Sequence, residues 1–402
     1  MSVAWTHPQG NTRETAERRP HLELVGRPAP ADPLAPQAGD LQTFDSGRFE
    51  FELGGSLSAI TLAYRTWGTL NAAGDNAVLV LHALTGDTLA AGPGGWWAPL
   101  IGPGATIDTD SSFVICINVL GGCSGSTGPA SDDPLTRRPY AMRFPLVTIG
   151  DIVRAQRRLV EHLGITRLIA IGGSIGGLQA LEWATRHADL VERCVCIAAS
   201  GALAPMGIAV HGELGRRAIM ADPDWRGGEY LAEGTFPTQG LATARMAAMT
   251  TYHSRESMDQ RFGRNLATRP GTYPAFGPTL DIEGYLHHQG DKLVRRFDAN
   301  SYLYLSRAMD LYDVGRDGGE AYWFRQVQAP VHLVGIRTDW LFPPDEIEAL
   351  ADRMAAEGVD ATYEELDSPH GHDAFLKEWG QLNAVLAPAF DAAPVLEDAI
   401  FA

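Results

Sequence analysis

Cysteine is scarce in this chain, four among 402 residues. That excludes a fold stapled by disulfides and points to a reducing compartment, so a cytoplasmic location is expected. Positive charge is also short: 32 lysines and arginines face 49 acidic residues, a net charge of −17. Such a surface repels a phosphate backbone and excludes general nucleic-acid binding. No apolar run reaches the roughly 18 residues needed to span a bilayer. No His-Glu-x-x-His pattern or zinc-spaced cysteine pair occurs, and the adjacent His287 and His288 cannot face one ligand together from a helix, so no metal is expected. Cys194 and Cys196, on one strand, read as small buried hydrophobes, and Cys123 as structural in its glycine-rich loop.

The start of the chain lacks a continuous apolar segment. Residues 1–40 carry six prolines, and Arg18-Arg19 runs into Pro20-His21, so no export signal is expected there and a flexible tail is. Beyond it, Arg48 to Trp67 alternates apolar and polar residues around Gly54-Gly55, the pattern of an antiparallel edge hairpin. Short continuous apolar runs follow at Ala77–Leu81, Phe113–Ile117, Leu168–Ile171, Cys194–Ala198 and Val331–Val334. Strands buried on both faces read this way, and helical stretches at Ile152–Leu163 and Leu178–Arg186 separate them. The expected class is α/β: a mostly parallel sheet flanked by helices. No comparable strand appears over 201–329, which reads as a helical lid with breaks at Pro237 and at Pro270 to Pro278. The expected organisation is a tail (1–40), a core (41–200 and 330–390), the inserted lid (201–329) and a short terminal extension (391–402).

Gly172-Gly173-Ser174-Ile175-Gly176-Gly177 follows one of these strands and opens a helix, the context of a nucleophile elbow. Glycines at 172 and 176 let two backbones pass closely beneath a strained serine turn. A dinucleotide-binding turn needs glycine where Ser174 stands, and a P-loop needs a following Gly-Lys-Ser/Thr. The pattern alone leaves an idle, glycine-lined turn as the alternative, so its partners decide. A serine hydroxyl needs a histidine to take its proton and a carboxylate to orient that histidine, in chain order Ser, Asp, His. Asp339 follows the Val331 strand and His372 follows a strand at Thr362–Leu366, both at carboxyl ends. An oxyanion hole needs one N–H from Ile175 and one from the loop His82-Ala83-Leu84-Thr85-Gly86-Asp87. His82 reads as bracing that loop rather than as a second base.

Several stretches together resemble the homoserine O-acetyltransferases of the α/β-hydrolase type: His82–Gly86, Gly95-Trp96-Trp97, Asn118–Cys123, Gly125–Pro129, Gly172–Trp183, Gly290–Lys292, Arg296–Tyr302 and Gly371–Leu376. The resemblance runs from about residue 43 to 385. It implies an α/β-hydrolase fold, a homodimer, and acetyl transfer from acetyl-CoA to the hydroxyl of L-homoserine through an acyl-serine, a step of methionine biosynthesis. Acetyl-CoA is then a co-substrate, with no bound cofactor. By resemblance the roles fall to Ser174 as nucleophile, Asp339 as carboxylate, His372 as base, Leu84 and Ile175 as oxyanion donors, Arg245 for the acceptor carboxylate and Asp373 for its ammonium. His370 lies two residues from His372, and the following Asp373 favours the latter. Ile175 replaces the family's usual methionine, and Asp87-Thr88-Leu89 and His370 also depart from common family choices. A succinyl donor, a serine acceptor, or hydrolysis by the same triad are the competing readings; a binding module would need a broken triad.

Overall fold

The computed structural model describes residues 38–267 and 277–391. Positions 1–37 of the expected tail, 392–402 of the expected extension, and Pro270 lie outside them. The strands are β1 (Gln42–Glu50), β2 (Ser56–Trp67), β3 (Ala77–Leu81), β4 (Ile101–Gly102), β5 (Ile107–Asp108), β6 (Phe113–Ile117), β7 (Leu168–Gly173), β8 (Val191–Ile197), β9 (Val331–Ile336) and β10 (Ala361–Leu366). Eight of them make one sheet in the order β1-β2-β6-β3-β7-β8-β9-β10, while β4 and β5 form a separate small pair that the sequence pattern does not announce. The β1–β2 hairpin is antiparallel and sits at one edge; β2 meets β6 antiparallel, and every pairing from β6 to β10 is parallel.

Side chains on the inner strands divide by parity. Leu79, Leu81, Ile115, Ile117, Cys194 and Cys196 enter the core on one face, with helix α1 (Ile149–His162) and helix α2 (Ile175–Arg186). Val78, Val80, Val114, Cys116, Val195 and Ile197 enter the other, with Trp97, Leu100, Leu382 and Leu386. This two-sided burial is why the strands read as continuous apolar runs. Helix α1 starts at a reciprocal cap: Thr148 Oγ accepts from Asp151 N (3.0 Å), and Thr148 N donates to Asp151 Oδ2 (3.1 Å). A buried relay then fastens α1 to α2. Trp183 Nε1 donates to Gln156 Oε1 (3.0 Å), Gln156 to Gln179 Oε1 (2.7 Å), and Gln179 to the Ile175 carbonyl (3.1 Å) in the first turn of α2.

Strand order reverses between β3 and β7. The chain goes from β3 outward to β6, then returns to place β7 on the other side of β3. The loops after β3 and β7 therefore open side by side at the carboxyl edge, where α/β sheets form their clefts. Between β8 and β9 the described residues contribute helices and isolated bridges to no sheet, among them helices Thr238–Tyr252, Asp281–Val294 and Ala299–Leu311 and a π-helical segment Ile208–Leu214. Pro237 caps the first of these helices, as its position at the expected break requires.

The close crossing of β3 and α2 allows no side chain: a Cβ on Gly176 would lie 2.1 Å from the Leu81 carbonyl oxygen. Replacing Gly176 with alanine should destabilise the fold by about 3 kcal/mol, the upper end of overpacking costs. Urea unfolding checks this, and an unshifted midpoint would contradict it.

Candidate active site

Ser174 ends β7 and precedes α2 with φ +61°, a left-handed conformation rare for a residue with a side chain. Holding it there costs on the order of 1–3 kcal/mol, which the surrounding packing must offset. The packing is explicit: a Cβ on Gly172 would lie 2.7 Å from both the Gly176 backbone and the Leu81 carbonyl, and Ser174 N donates to the Ile197 carbonyl at 3.0 Å. The turn thus presents Ser174 (6% exposed) above the sheet at the amino end of α2.

Asp339 and His372 arrive from neighbouring strands, since Ile336 of β9 pairs with Leu366 of β10. Thr338 ties their loops together, donating through Oγ1 to the Ser368 carbonyl (2.7 Å) and accepting from Gly371 N (3.0 Å). Asp339 Oδ2 lies 2.6 Å from His372 Nδ1, and its Oδ1 accepts from Leu341 N (2.9 Å) and Phe342 N (3.1 Å). A carboxylate held by two amides accepts the imidazole N–H, which leaves Nε2 as the basic nitrogen. That Nε2 is buried and has no hydrogen-bond partner among the described residues. The ring sits among Phe375 (5.5 Å, edge-on), Phe342 (5.7 Å) and Tyr252 (5.8 Å). Phe375 also fills the space that a Gly173 Cβ would occupy, at 2.5 Å, which places the imidazole beside the Ser174 turn.

The geometry separates the two nearby histidines. Gly371, at φ +64°, turns the chain between them, and a Cβ there would lie 2.7 Å from Ser254 N. His372 consequently points inward to Asp339, whereas His370 lies 3.8 Å from Glu378 on the outer side.

The loop after β3 is braced as its histidine suggests. His82 Nε2 accepts from Val119 N (3.2 Å) and faces Asn118 Nδ2 (3.1 Å), so Nδ1 carries the proton and donates to the Ala83 carbonyl (2.8 Å). Burial lowers its pKa and keeps it neutral, partly opposed by the Ala83 bond. Among the described residues, neither Leu84 N nor Ile175 N donates to a backbone acceptor. Two free amides beside the serine turn are what an oxyanion needs.

Arg245 lies on the lid helix Thr238–Tyr252, its guanidinium 5.2 Å over the Tyr252 ring that stacks on His372. Burial pushes the Tyr252 hydroxyl up to about 12, with the Arg245 charge opposing. Asp373 is ion-paired to Lys377 at 3.1 Å, and its charge reaches Tyr252 and Tyr285. Both candidates for a zwitterion thus border the space above His372, on opposite elements.

Sequence reasoning overlooked four supports. Trp96 Nε1 donates to the Asp87 carbonyl (3.1 Å), anchoring the far end of the oxyanion loop, and Trp97 Nε1 donates to the Phe375 carbonyl (2.9 Å), anchoring the His372 turn. The Gly-Trp-Trp stretch was a signal, but its role depends on contacts across 278 positions in the case of Trp97. Tyr252 is the third. The fourth is His211 in the π-helical segment, 2.7 Å from the Tyr252 hydroxyl, with its pKa brought to about 3 by burial and then by the His372 and Arg245 charges.

Comparisons with known proteins agree on family and fold. A family model described as alpha/beta hydrolase fold matches residues 76–378. The homoserine O-acetyltransferase of Carboxydothermus hydrogenoformans is 47% identical over 348 residues, spanning 84% of this chain and 91% of that protein. The crystal structure of homoserine O-acetyltransferase from Bacillus anthracis is similar with a TM-score of 0.82 at 27% identity, covering 89% of this chain and 98% of that one. An acetylester hydrolase from Corynebacterium glutamicum is also similar, with a TM-score of 0.74 at 28% identity over 88% of this chain and 96% of that one.

Asp339→Asn keeps an acceptor for the Leu341 and Phe342 amides but removes the charge behind His372. Turnover of an activated ester should fall by about 10⁴-fold with the fold retained. Steady-state kinetics beside circular dichroism checks this, and a loss under tenfold would contradict the orienting role.

Proposed function

The chain belongs to the homoserine O-acetyltransferase family of α/β-hydrolase-fold proteins, and on that premise we propose that it moves an acetyl group from acetyl-CoA to the hydroxyl of L-homoserine. The observation that carries the chemistry is the 2.6 Å Asp339–His372 contact with the opposite ring nitrogen buried and unpartnered.

In the first half-reaction the Ser174 hydroxyl oxygen attacks the thioester carbonyl while His372 Nε2 takes its proton. Asp339 stabilises the imidazolium, and the Leu84 and Ile175 amides receive the oxyanion. Collapse breaks the carbon–sulfur bond, and His372 returns the proton to the CoA thiolate, leaving an acetyl ester on Ser174. In the second half-reaction the homoserine hydroxyl gives its proton to His372 and attacks that ester; collapse then breaks the Ser174–acyl bond as His372 returns the proton to the Ser174 oxygen, releasing O-acetylhomoserine and the free serine. Arg245 holds the acceptor carboxylate through its planar fork, and Asp373 holds the ammonium. The product enters methionine biosynthesis.

The same triad performs ester hydrolysis when water replaces the acceptor, and the similar acetylester hydrolase makes that the second reading. What supports transfer is the insertion: Tyr252 stacks on the imidazole and Arg245 lies over Tyr252, so a bound alcohol meets the acyl group in a covered site that disfavours water. A homodimer belongs to the same reading. Met206, Leu214 and Leu266, exposed on the insertion, support an interface there. Four unpaired cysteines support a cytoplasmic location. No described helix is long and apolar enough to cross a membrane.

A panel of acetyl-CoA and succinyl-CoA, each against homoserine, serine and water, tests the reading through free-thiol release and mass spectrometry of the products. Acetyl-CoA with homoserine should exceed every other pair by at least about tenfold in kcat/KM, the scale of one lost charge-assisted contact. Release with water alone as fast as with homoserine would establish the hydrolase instead.

A further inference from the structure

The strongest unassigned feature is a concentration of positive charge in a chain that is acidic overall. Helices Thr238–Tyr252 and Asp281–Val294 cross at Gly290, where a Cβ would lie 3.0 Å from the Ala242 Cβ and 3.1 Å from its carbonyl oxygen. That close approach gathers side chains one turn further along. Arg245, Gln289, Lys292, Leu293 and Arg296 line a recess of about 40 Å³, with Arg245 half-buried and Lys292 and Arg296 exposed at the rim.

Three cations face one another here without a carboxylate between them. None of the three forms an ion pair among the described residues, a state they share with Arg261, Arg264 and Arg295 of the same insertion, whereas Arg216, Arg226, Arg255 and Arg307 each pair with an acid; what sets the three apart is that they line one recess. The cost registers at Arg296, whose pKa is lowered first by the surrounding protein and then by the Arg245 charge, with Asp87 opposing. Packing does not call for such an arrangement, since folding gains nothing from crowding like charges. It is the arrangement of a site whose missing partner is an anion.

Position narrows which anion. Arg245 is the inner member, over the Tyr252 ring that stacks on His372, and one fork satisfies one carboxylate. Lys292 and Arg296 remain without a carboxylate in an ion pair among the described residues, although Arg296 bonds to Thr85. Arg296 reaches from the insertion to the core, donating through Nη1 to the Thr85 carbonyl (2.5 Å), one residue beyond Leu84. An anion at the rim is therefore set directly above the oxyanion loop, on the solvent side of the acceptor's cation. Of the two substrates, only the acyl donor carries more than one negative charge, on its nucleotide-linked phosphates. We infer that Lys292 and Arg296 bind the phosphates of the CoA donor, leaving Arg245 to the acceptor carboxylate. The inference rests on the acetyl-CoA reading above and deepens it. A lysine supplies an adaptable point charge for phosphate, and Arg296 couples donor docking to the loop that carries the Leu84 amide. The patch also steers a polyanion toward a protein whose net charge of −17 would otherwise repel it.

Equilibrium binding by calorimetry with CoA, 3′-dephospho-CoA and pantetheine tests this in the intact protein and in Lys292→Gln. Pantetheine keeps the thiol arm and lacks the whole phosphorylated nucleotide, so the ratio of the CoA and pantetheine constants measures the nucleotide's contribution, and its change on removing the Lys292 charge reads the part carried by phosphate. Lys292→Gln should reduce that ratio by about tenfold, the effect of one charge-assisted contact, and should flatten the salt dependence of CoA binding while leaving pantetheine binding unchanged. If the penalty persists with 3′-dephospho-CoA the site takes the pyrophosphate; if it disappears the site takes the 3′-phosphate, and either result upholds the inference. A ratio unchanged by the substitution, or a variant that loses homoserine affinity and not CoA affinity, overturns it. The outcomes are separable from the functional reading. A protein that acetylates homoserine with an unchanged ratio refutes the phosphate site alone, and one that loses the ratio without acetylating homoserine refutes the activity alone.

Discussion

The site depends on one close approach: the carbonyl of Leu81 passing beneath Gly172 and Gly176, so near that neither position can hold a Cβ. That contact forces β7 to turn sharply into α2 and leaves Ser174 in a left-handed conformation at the turn. The same approach sets β3 and β7 side by side, and the strand order reverses there, so the loop bearing Leu84 stands next to the serine. The serine turn and the neighbouring Leu84 loop are thus consequences of one backbone crossing rather than separate constructions. The conformational strain at Ser174 persists because the Gln156–Gln179 relay and the Ile197 carbonyl hold both sides of the turn.

The Asp339–His372 pair is assembled by a second device. Parallel pairing of β9 with β10 aligns two strand ends, Thr338 joins their loops, and the insertion packs against the turn through Ser254. Phe375 then connects the two devices by packing against Gly173 and lying edge-on to the imidazole. The two tryptophans, packed in the same core cluster as Phe375, lock the result, one holding the loop after β3 and one the histidine turn. Over this core machinery the insertion lays Tyr252, Arg245 and a rim of cations. The proposed division of labour follows: acyl chemistry in the core, and selection of donor and acceptor by the insertion.

Much of the core was legible in the sequence because the relevant forces are local. Strands buried on both faces read as unbroken apolar runs, and the elbow shows as glycines two residues either side of a serine, a requirement of backbone sterics. The order Ser174, Asp339, His372 is itself a one-dimensional record of the fold, and the structure joins Asp339 to His372 as that order implies. The resemblance and Asp373 already favour His372 over His370, and the left-handed turn at Gly371 supplies the geometric reason. The short β4–β5 pair, two residues per strand, is below the length at which alternation signals anything. The Tyr252–His211 contact and the cationic rim arise from helices meeting across the insertion, where spacing along the chain says little about which side chains face one another.

On the proposed function, the serine on this strained turn carries the acyl group between donor and acceptor. Incubating the protein with acetyl-CoA and no acceptor, followed by digestion and peptide mass spectrometry, tests it most directly. An acetyl adduct should appear on the peptide containing Ser174 and disappear when homoserine is added. An unmodified Ser174 peptide under conditions where O-acetylhomoserine is formed would contradict it.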